Sequence, residues 1–326
     1  MSAASRIYKL EDLKKLEKLN LDILVTPENF SRIIYAYCIE GKLVSCSLLR
    51  VKKKCNTKHN NGYIAELSDG QLGVIGGDCA EQHFSADSNI IQAINRFEDK
   101  LKIDQKLEII YKYIENYESL KDSLEIAKDS ISKSFSDLEN IYYCLGKDNC
   151  RLLQHRAKSD KPVVNVKSYK LNEKDEYIYQ ATHSIGSIPC LKLFNMTSDE
   201  KSYLKNFNML RDSLNAAKNL EAKLYDKILK TTNTKLDTYV SELSKKLQGI
   251  DRFIIEVKEL AAEVHKFLNS DLDPICYVSH RLEDQEKAAT LSLMTQRLDR
   301  TPTIYLRSLE IKLSTKLRCH RIGADN

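Results

Sequence analysis

Apolar residues change their spacing along the chain near residue 96. From Ile103 through Leu107, Ile110, Ile114, Tyr117, Leu120, Leu124, Ala127, Ile131, Phe135, Leu138 and Tyr142 to Leu145 they recur every three or four positions. A mean step of about 3.5 residues keeps one helical stripe turned toward a partner, so the pattern predicts the first arm of a left-handed coiled coil over residues 96–145. The steps from Tyr117 to Leu120 to Leu124 break strict heptad order and read as a local stammer. At about 1.5 Å per residue this arm runs roughly 60 Å.

A second arm is predicted over 197–269. Leu204, Phe207, Leu210, Leu214, Ala217, Leu220, Leu224 and Ile228 carry its first stripe, and Tyr239, Leu243, Leu247, Ile250, Val257, Leu260, Val264 and Phe267 resume it. Between them TTNTKLDT, rich in β-branched Thr, predicts a kink or short break. An antiparallel hairpin of the two arms and a parallel homodimer through the first both satisfy this pattern.

The flanking segments have a different texture. Residues 1–95 mix a short helical start (EDLKKLEKL), a helix entry with Thr26 as N-cap and Pro27 at the first position, and strand-like runs RIIYAYCIE and KLVSCSLLRV. Residues 146–196 alternate over about 163–170 and 176–182, predicting a small β module at the tip of the arms. In 270–326 a helix near 283–298 is followed by Ile304, Leu306, Leu309, Ile311 and Leu313, whose alternation predicts a basic C-terminal strand. The expected fold class is therefore α+β, mainly α: a small head, long coiled-coil helices and a β module at the tip.

Composition narrows the function classes. The content of 42% hydrophobic and 30% charged residues, with 10 Gly and 5 Pro, suits long helices. A net charge of +5 does not by itself announce nucleic acid, so any basic signal is local. The start of the chain reads as no signal peptide and no segment reads as membrane-spanning, so a cytoplasmic protein is expected. Nine cysteines, an odd number spread irregularly, argue for thiols or metal ligands over a secreted disulfide framework.

The densest chemistry lies in KCNTKHNNGYIAELSDGQLGVIGGDCAEQHF, which writes Cys-x3-His twice, as Cys55 and His59 and again as Cys79 and His83. GYIAEL and QLGVIG read as two strands joined at Ser68-Asp69-Gly70, and Asp78 is placed to cap a helix presenting Cys79 and His83 at i and i+4. A knuckle with two ligands, a hairpin and a helix start with two more resembles the treble-clef class of zinc fingers. The resemblance covers about thirty residues and implies a closed, structural zinc site of Cys55, His59, Cys79 and His83. Cys38 and Cys46 are the reserve ligands. Cys144, Cys150, His155, His183 and Cys190 bracket the tip module without matching a ligand pattern, and Cys276-x3-His280 has only Cys319 and His320 as remote partners.

Phosphate-cradling and nucleophile-elbow motifs are absent from the sequence, and GVIGGD lacks dinucleotide-fold spacing. If zinc takes both head histidines, no general base remains there, so catalysis is the minority reading. Two basic stretches stand out: Arg50, Lys52, Lys53, Lys54 and Lys58 beside the knuckle, and Arg297 through Arg321 with seven basic and two acidic residues. The expected function is a non-enzymatic, zinc-dependent, sequence-independent nucleic-acid-binding coiled-coil protein, with a bacterial mobile-element or phage-defence texture. The alternatives are a scaffold or adaptor for an acidic protein partner, and a nuclease or effector with an unrecognised active site.

Overall fold

The computed structural model describes residues 5–41, 43–50, 53–86, 88–196, 199–227 and 234–325, with side chains throughout except at 221–227 and 234–237. About 58% of the structure is helical, with eight α-helices accompanied by small sheets among the described residues. Contacts divide it into two units, Met1–Glu115 with Asn219–Lys245 and Asn116–Lys218 with Lys246–Asn326.

The first unit is built on a four-stranded sheet in the order β1 (Ser5–Ile7), β2 (Phe30–Cys38), β7 (Asn61–Leu67), β8 (Leu72–Gly76). β1 runs parallel to β2, and the other pairs are antiparallel. Ile64, Ala65, Val74 and Ile75 are fully buried. Ala65 and Ile75 share a core with Ile90, Ile94, Phe97 and Leu101 from α3 (Asn89–Glu115), while Ile64 and Val74 belong to a second cluster with Leu13 and Tyr37. The turn predicted between β7 and β8 is present, with Gly70 in the left-handed region that its lack of a Cβ permits.

Two local expectations change here. EDLKKLEKL gives only the single turn α1 (Leu10–Lys14). Thr26 and Pro27 start no helix: Thr26 and Asn29 hydrogen-bond each other's backbone N–H, and Phe30 N–H to Thr26 O closes one turn before β2 begins. The sheet claims the apolar run RIIYAYC, and tertiary pairing overrides the capping signal.

Between β2 and β7 the chain makes a twice-paired hairpin. At its base β3 (Val44–Ser45) pairs with β6 (Lys58–His59), and toward its tip β4 (Leu49–Arg50) pairs with β5 (Lys53–Lys54). The ladder is interrupted between these pairs, where Cys46 N–H bonds Thr57 O, Cys55 N–H bonds Leu48 O and Asn56 N–H bonds Cys46 O. Asn56 takes φ +53° there, a conformation Asn tolerates better than most residues. After β8, helix α2 (Gly77–His83) starts with Gly76 as its extended N-cap. Asp78 therefore stands inside the first turn, where its carboxylate faces the helix's positive end.

The other long helices are α4 (Tyr117–Lys158), which lies in the second unit, and α5 (Glu200–Lys227) and α6 (Thr234–Leu268), of which the parts up to Lys218 and from Lys246 belong to it. The predicted first arm is broken at Asn116, next to the expected stammer, so α3 and α4 are separate helices. Along α4 up to Leu145 the buried positions are Leu124, Ala127, Ile131, Ser134, Leu138, Ile141 and Leu145, which alternate by three and four, and beyond the non-helical Gly146 they continue by fours at Asn149 and Leu153. The stripe thus uses Ser134 and Ile141, whereas Phe135 is partly buried and Tyr142 is exposed. Phe135 packs on Tyr203 of α5, and Tyr203 on Phe253 of α6, which ties the three helices together. Phe207, Leu210, Leu214 and Ala217, and Leu243, Leu247, Ile250, Val257, Leu260, Val264 and Phe267, are buried as predicted. Tyr239 is exposed and Val240 is buried in its place, while Ile228 and the first residues of the Thr-rich break lie outside the described residues. α6 is helical from Thr234 on.

The β module comprises β9 (Val163–Leu171) and β10 (Tyr177–Ser187), but its sheet order is β10-β9-β11. β11 (Arg321–Ala324) comes from the C-terminal end of the chain, so residues 146–196 do not complete the module alone. Ahead of β11 are α7 (Leu282–Gln296) and α8 (Pro302–Leu317). The predicted strand over 304–313 is therefore helix. Thr301 caps it by accepting from Ile304 N–H, Pro302 stands at its first position, and Tyr305 and Leu309 are buried one turn apart. No helix among the described residues is long and apolar enough to cross a membrane.

Candidate metal centre

The interrupted hairpin and α2 bring five potential ligands together. Cys46 and Cys55 come from the interruption, His59 from β6, and Cys79 and His83 from one face of α2. Two groups, Cys46-His59-Cys79 and Cys55-Cys79-His83, each hold their donor atoms within 4.8 Å of one another, and Cys79 belongs to both. Cys79 Sγ is 3.4 Å from Cys55 Sγ and 3.0 Å from His59 Nε2. Donors around one tetrahedral zinc lie roughly 3.3–3.8 Å apart, because bonds of about 2.0–2.3 Å meet near the tetrahedral angle. The donor types and the Cys55–Cys79 spacing fit such an ion, while the shorter His59–Cys79 contact is that of a hydrogen bond.

The backbone is shaped around these donors. Cys46 Sγ accepts the Gly76 N–H at 3.5 Å. The His59 ring lies against Gly76 so closely that a Cβ there would fall 2.3 Å from Cδ2 and 2.4 Å from Nε2. Gly76 is thus needed for its missing side chain, which gives the imidazole its place beside Cys79.

The thiols are electrostatically unequal. Burial works to raise the Cys55 thiol, but hydrogen bonding to Thr57, Cys79 and His83 outweighs it and brings it down to about 6. Burial pushes Cys79 up to about 12, with Cys55 and Cys46 adding to the shift, and burial raises Cys46 as well. Neighbouring thiols ionise one at the expense of another. A divalent cation reverses that balance, because its charge holds coordinated sulfurs as thiolates.

The four ligands expected from the sequence fall into two groups that share Cys79: Cys55 and His83 in one, and His59 in the other, where Cys46 joins it. The sequence marks Cys46 only as a reserve ligand, since it sits in the strand-like run KLVSCSLLRV among apolar residues, where a core thiol is the commoner outcome. Cys38 is exposed at the end of β2 and belongs to neither group. Among the described residues Cys144, Cys150, His155, His183 and Cys190 form no three-donor group. His183 instead bonds Ser168, and His320 Nδ1 accepts from Leu171 N–H. Cys276 is buried in a 3-10 turn (Asp273–Tyr277), and His280 is exposed beyond it.

Of the first basic stretch, Lys52 lies outside the described residues. Lys54 is engaged: its ammonium donates to Leu21 O and pairs with Asp22 at 3.6 Å, and its side chain is 18% exposed. Arg50, Lys53 and Lys58 are exposed. Arg50 and Lys53 are register partners across β4 and β5, so two like charges stand face to face. Such an opposition in a β pair is destabilising. Compared with protein-family models, with curated proteins and with solved structures, the chain shows no match.

Proposed function

We propose that the first unit is a structural zinc module of treble-clef type, and that its hairpin carries Arg50, Lys53 and Lys58 to nucleic acid without sequence preference. The observation that carries the nucleic-acid reading is the opposition of Arg50 and Lys53 on a two-residue ladder. A polyanion relieves that repulsion by neutralising both charges, and the metal cluster at the hairpin's interruption gives the ladder a fixed base. Lys54 serves the fold by holding the hairpin to Leu21 and Asp22.

For zinc, the three thiolates of Cys46, Cys55 and Cys79 with His83 form the preferred four, because sulfur donors dominate structural sites. His59 then supports Cys79 by hydrogen bonding. The second set, Cys55, His59, Cys79 and His83, keeps His59 as a ligand beside Cys79, the donor common to both groups. Zinc content of Cys46→Ser distinguishes them: the first set predicts loss, the second full retention. Either set closes the ion with protein ligands and makes it scaffolding.

The three-four alternation on α4 from Leu124 to Leu145 supports knobs-into-holes packing of the long helices, a coiled coil in miniature. The test of function is anisotropy of a labelled DNA duplex with the wild type and with an Arg50→Glu, Lys53→Glu, Lys58→Glu variant. Binding by the wild type should weaken steeply between about 50 and 200 mM salt and be lost in the variant at unchanged zinc content. Wild-type protein that binds no nucleic acid at low salt would favour a scaffold for an acidic protein partner.

A further inference from the structure

The second unit holds a cleft of about 680 Å³ between its three-stranded sheet, α7 and α8. That volume is in the range of ligand sites. Three of its lining residues, Lys167, Arg307 and Arg321, are basic, and His280 stands at its edge, against a single carboxylate lining it, Glu310. Lys167 is paired with Asp325 at 2.9 Å. Arg307 is exposed and has no ion-pair partner among the described residues. Arg321 lays its guanidinium over the Tyr177 ring, 5.2 Å from the centroid.

Aromatic faces accompany the charges. Tyr169 and Tyr177 line the cleft, and Tyr177 and Tyr179 are about half exposed on β10. Exposed tyrosines beside arginines give two things a single-stranded nucleic acid uses: π faces for unstacked bases and cations for the phosphates. An acidic peptide would use the arginines and leave the rings idle. We infer that this cleft binds single-stranded nucleic acid, with Tyr177 stacking a base and Arg307 and Arg321 holding the adjoining phosphates. The inference rests on the nucleic-acid reading of the protein but uses a separate surface, on a sheet unrelated to the metal centre.

The experiment is fluorescence anisotropy of the full chain with a labelled oligothymidylate of about 20 nucleotides, a site length ample for one such groove. Tyr177→Ala should weaken binding at least about fivefold, Tyr177→Phe should retain it, and Arg307→Gln with Arg321→Gln should weaken it by about tenfold and flatten its salt dependence. Tyr177 is solvent-exposed, so its replacement leaves the fold intact. Binding of a duplex should be unchanged by Tyr177→Ala and lost with the hairpin charges. Full oligothymidylate affinity in the Tyr177→Ala and arginine variants overturns the cleft and leaves the hairpin reading standing. Full duplex affinity in the hairpin variant, with loss in the cleft variants, does the reverse. Tighter binding of polyglutamate than of oligothymidylate, insensitive to Tyr177, also overturns the cleft as a nucleic-acid site.

Discussion

The Sγ atoms of Cys55 and Cys79 lie 3.4 Å apart although 24 residues separate them. One belongs to the interruption of a β-hairpin and the other to the first turn of α2, so they meet only after both have folded. A metal held there joins two local elements that are separate in the chain. Binding free energy then becomes folding free energy of the segment.

Removal of metal should therefore act locally. With a strong chelator present, amide exchange should accelerate over residues 44–59 and 77–83, while α7 and α8 keep their protection. Uniform protection with and without chelator would mean that the cluster stands without an ion.

Gly76→Ala tests how the histidine is seated. The new methyl would overlap the His59 ring at about 2.3 Å, and both neighbours are fixed, one by the sheet and one by its contact with Cys79. The backbone at Gly76 is ordinary, with φ −72°, so the effect is purely steric. A loss of about 1–3 kcal/mol is expected in chemical denaturation, as for overpacking elsewhere.

Much of this is legible in the chain, for identifiable reasons. The pairing of β7 with β8 follows from alternation and a Gly turn, and the shared face of Cys79 and His83 from helical spacing. Cys46 is harder to place, because its approach to Cys79 depends on the register of a hairpin whose ladder is interrupted at that point. The segment 304–313 misleads since Ile304, Leu306, Ile311 and Leu313 satisfy alternation by coincidence. The Thr301-Pro302 start and the Tyr305-Leu309 spacing are the helical signals that win. On α4 the long apolar run offers two adjacent stripes, and packing selects the one through Ser134 over the bulkier Phe135.

The packing of α4 is itself testable. Ile131 is fully buried on α4, whereas Ile126, five residues earlier, is 65% exposed. Ile131→Asp should cost several kcal/mol by burying a charge, and Ile126→Asp should stay within about 0.5 kcal/mol of wild type. Equal losses of melting temperature in the two variants would contradict the packing of α4 against α5 and α6.

A salt titration checks the hairpin charges independently of any site. For every phosphate that a variant no longer neutralises, the slope of log affinity against log salt should fall by about 0.9 on duplex DNA, so replacing Arg50, Lys53 and Lys58 one at a time should lower it stepwise. An unchanged slope would remove these residues from the interface.

The zinc content of the purified chain, measured beside a Cys79→Ser variant, tests the central claim most directly, because Cys79 is the donor common to both groups of the cluster. The account predicts about one zinc per wild-type chain and none retained by the variant. Equal metal content in the two proteins, or none in either, would contradict it.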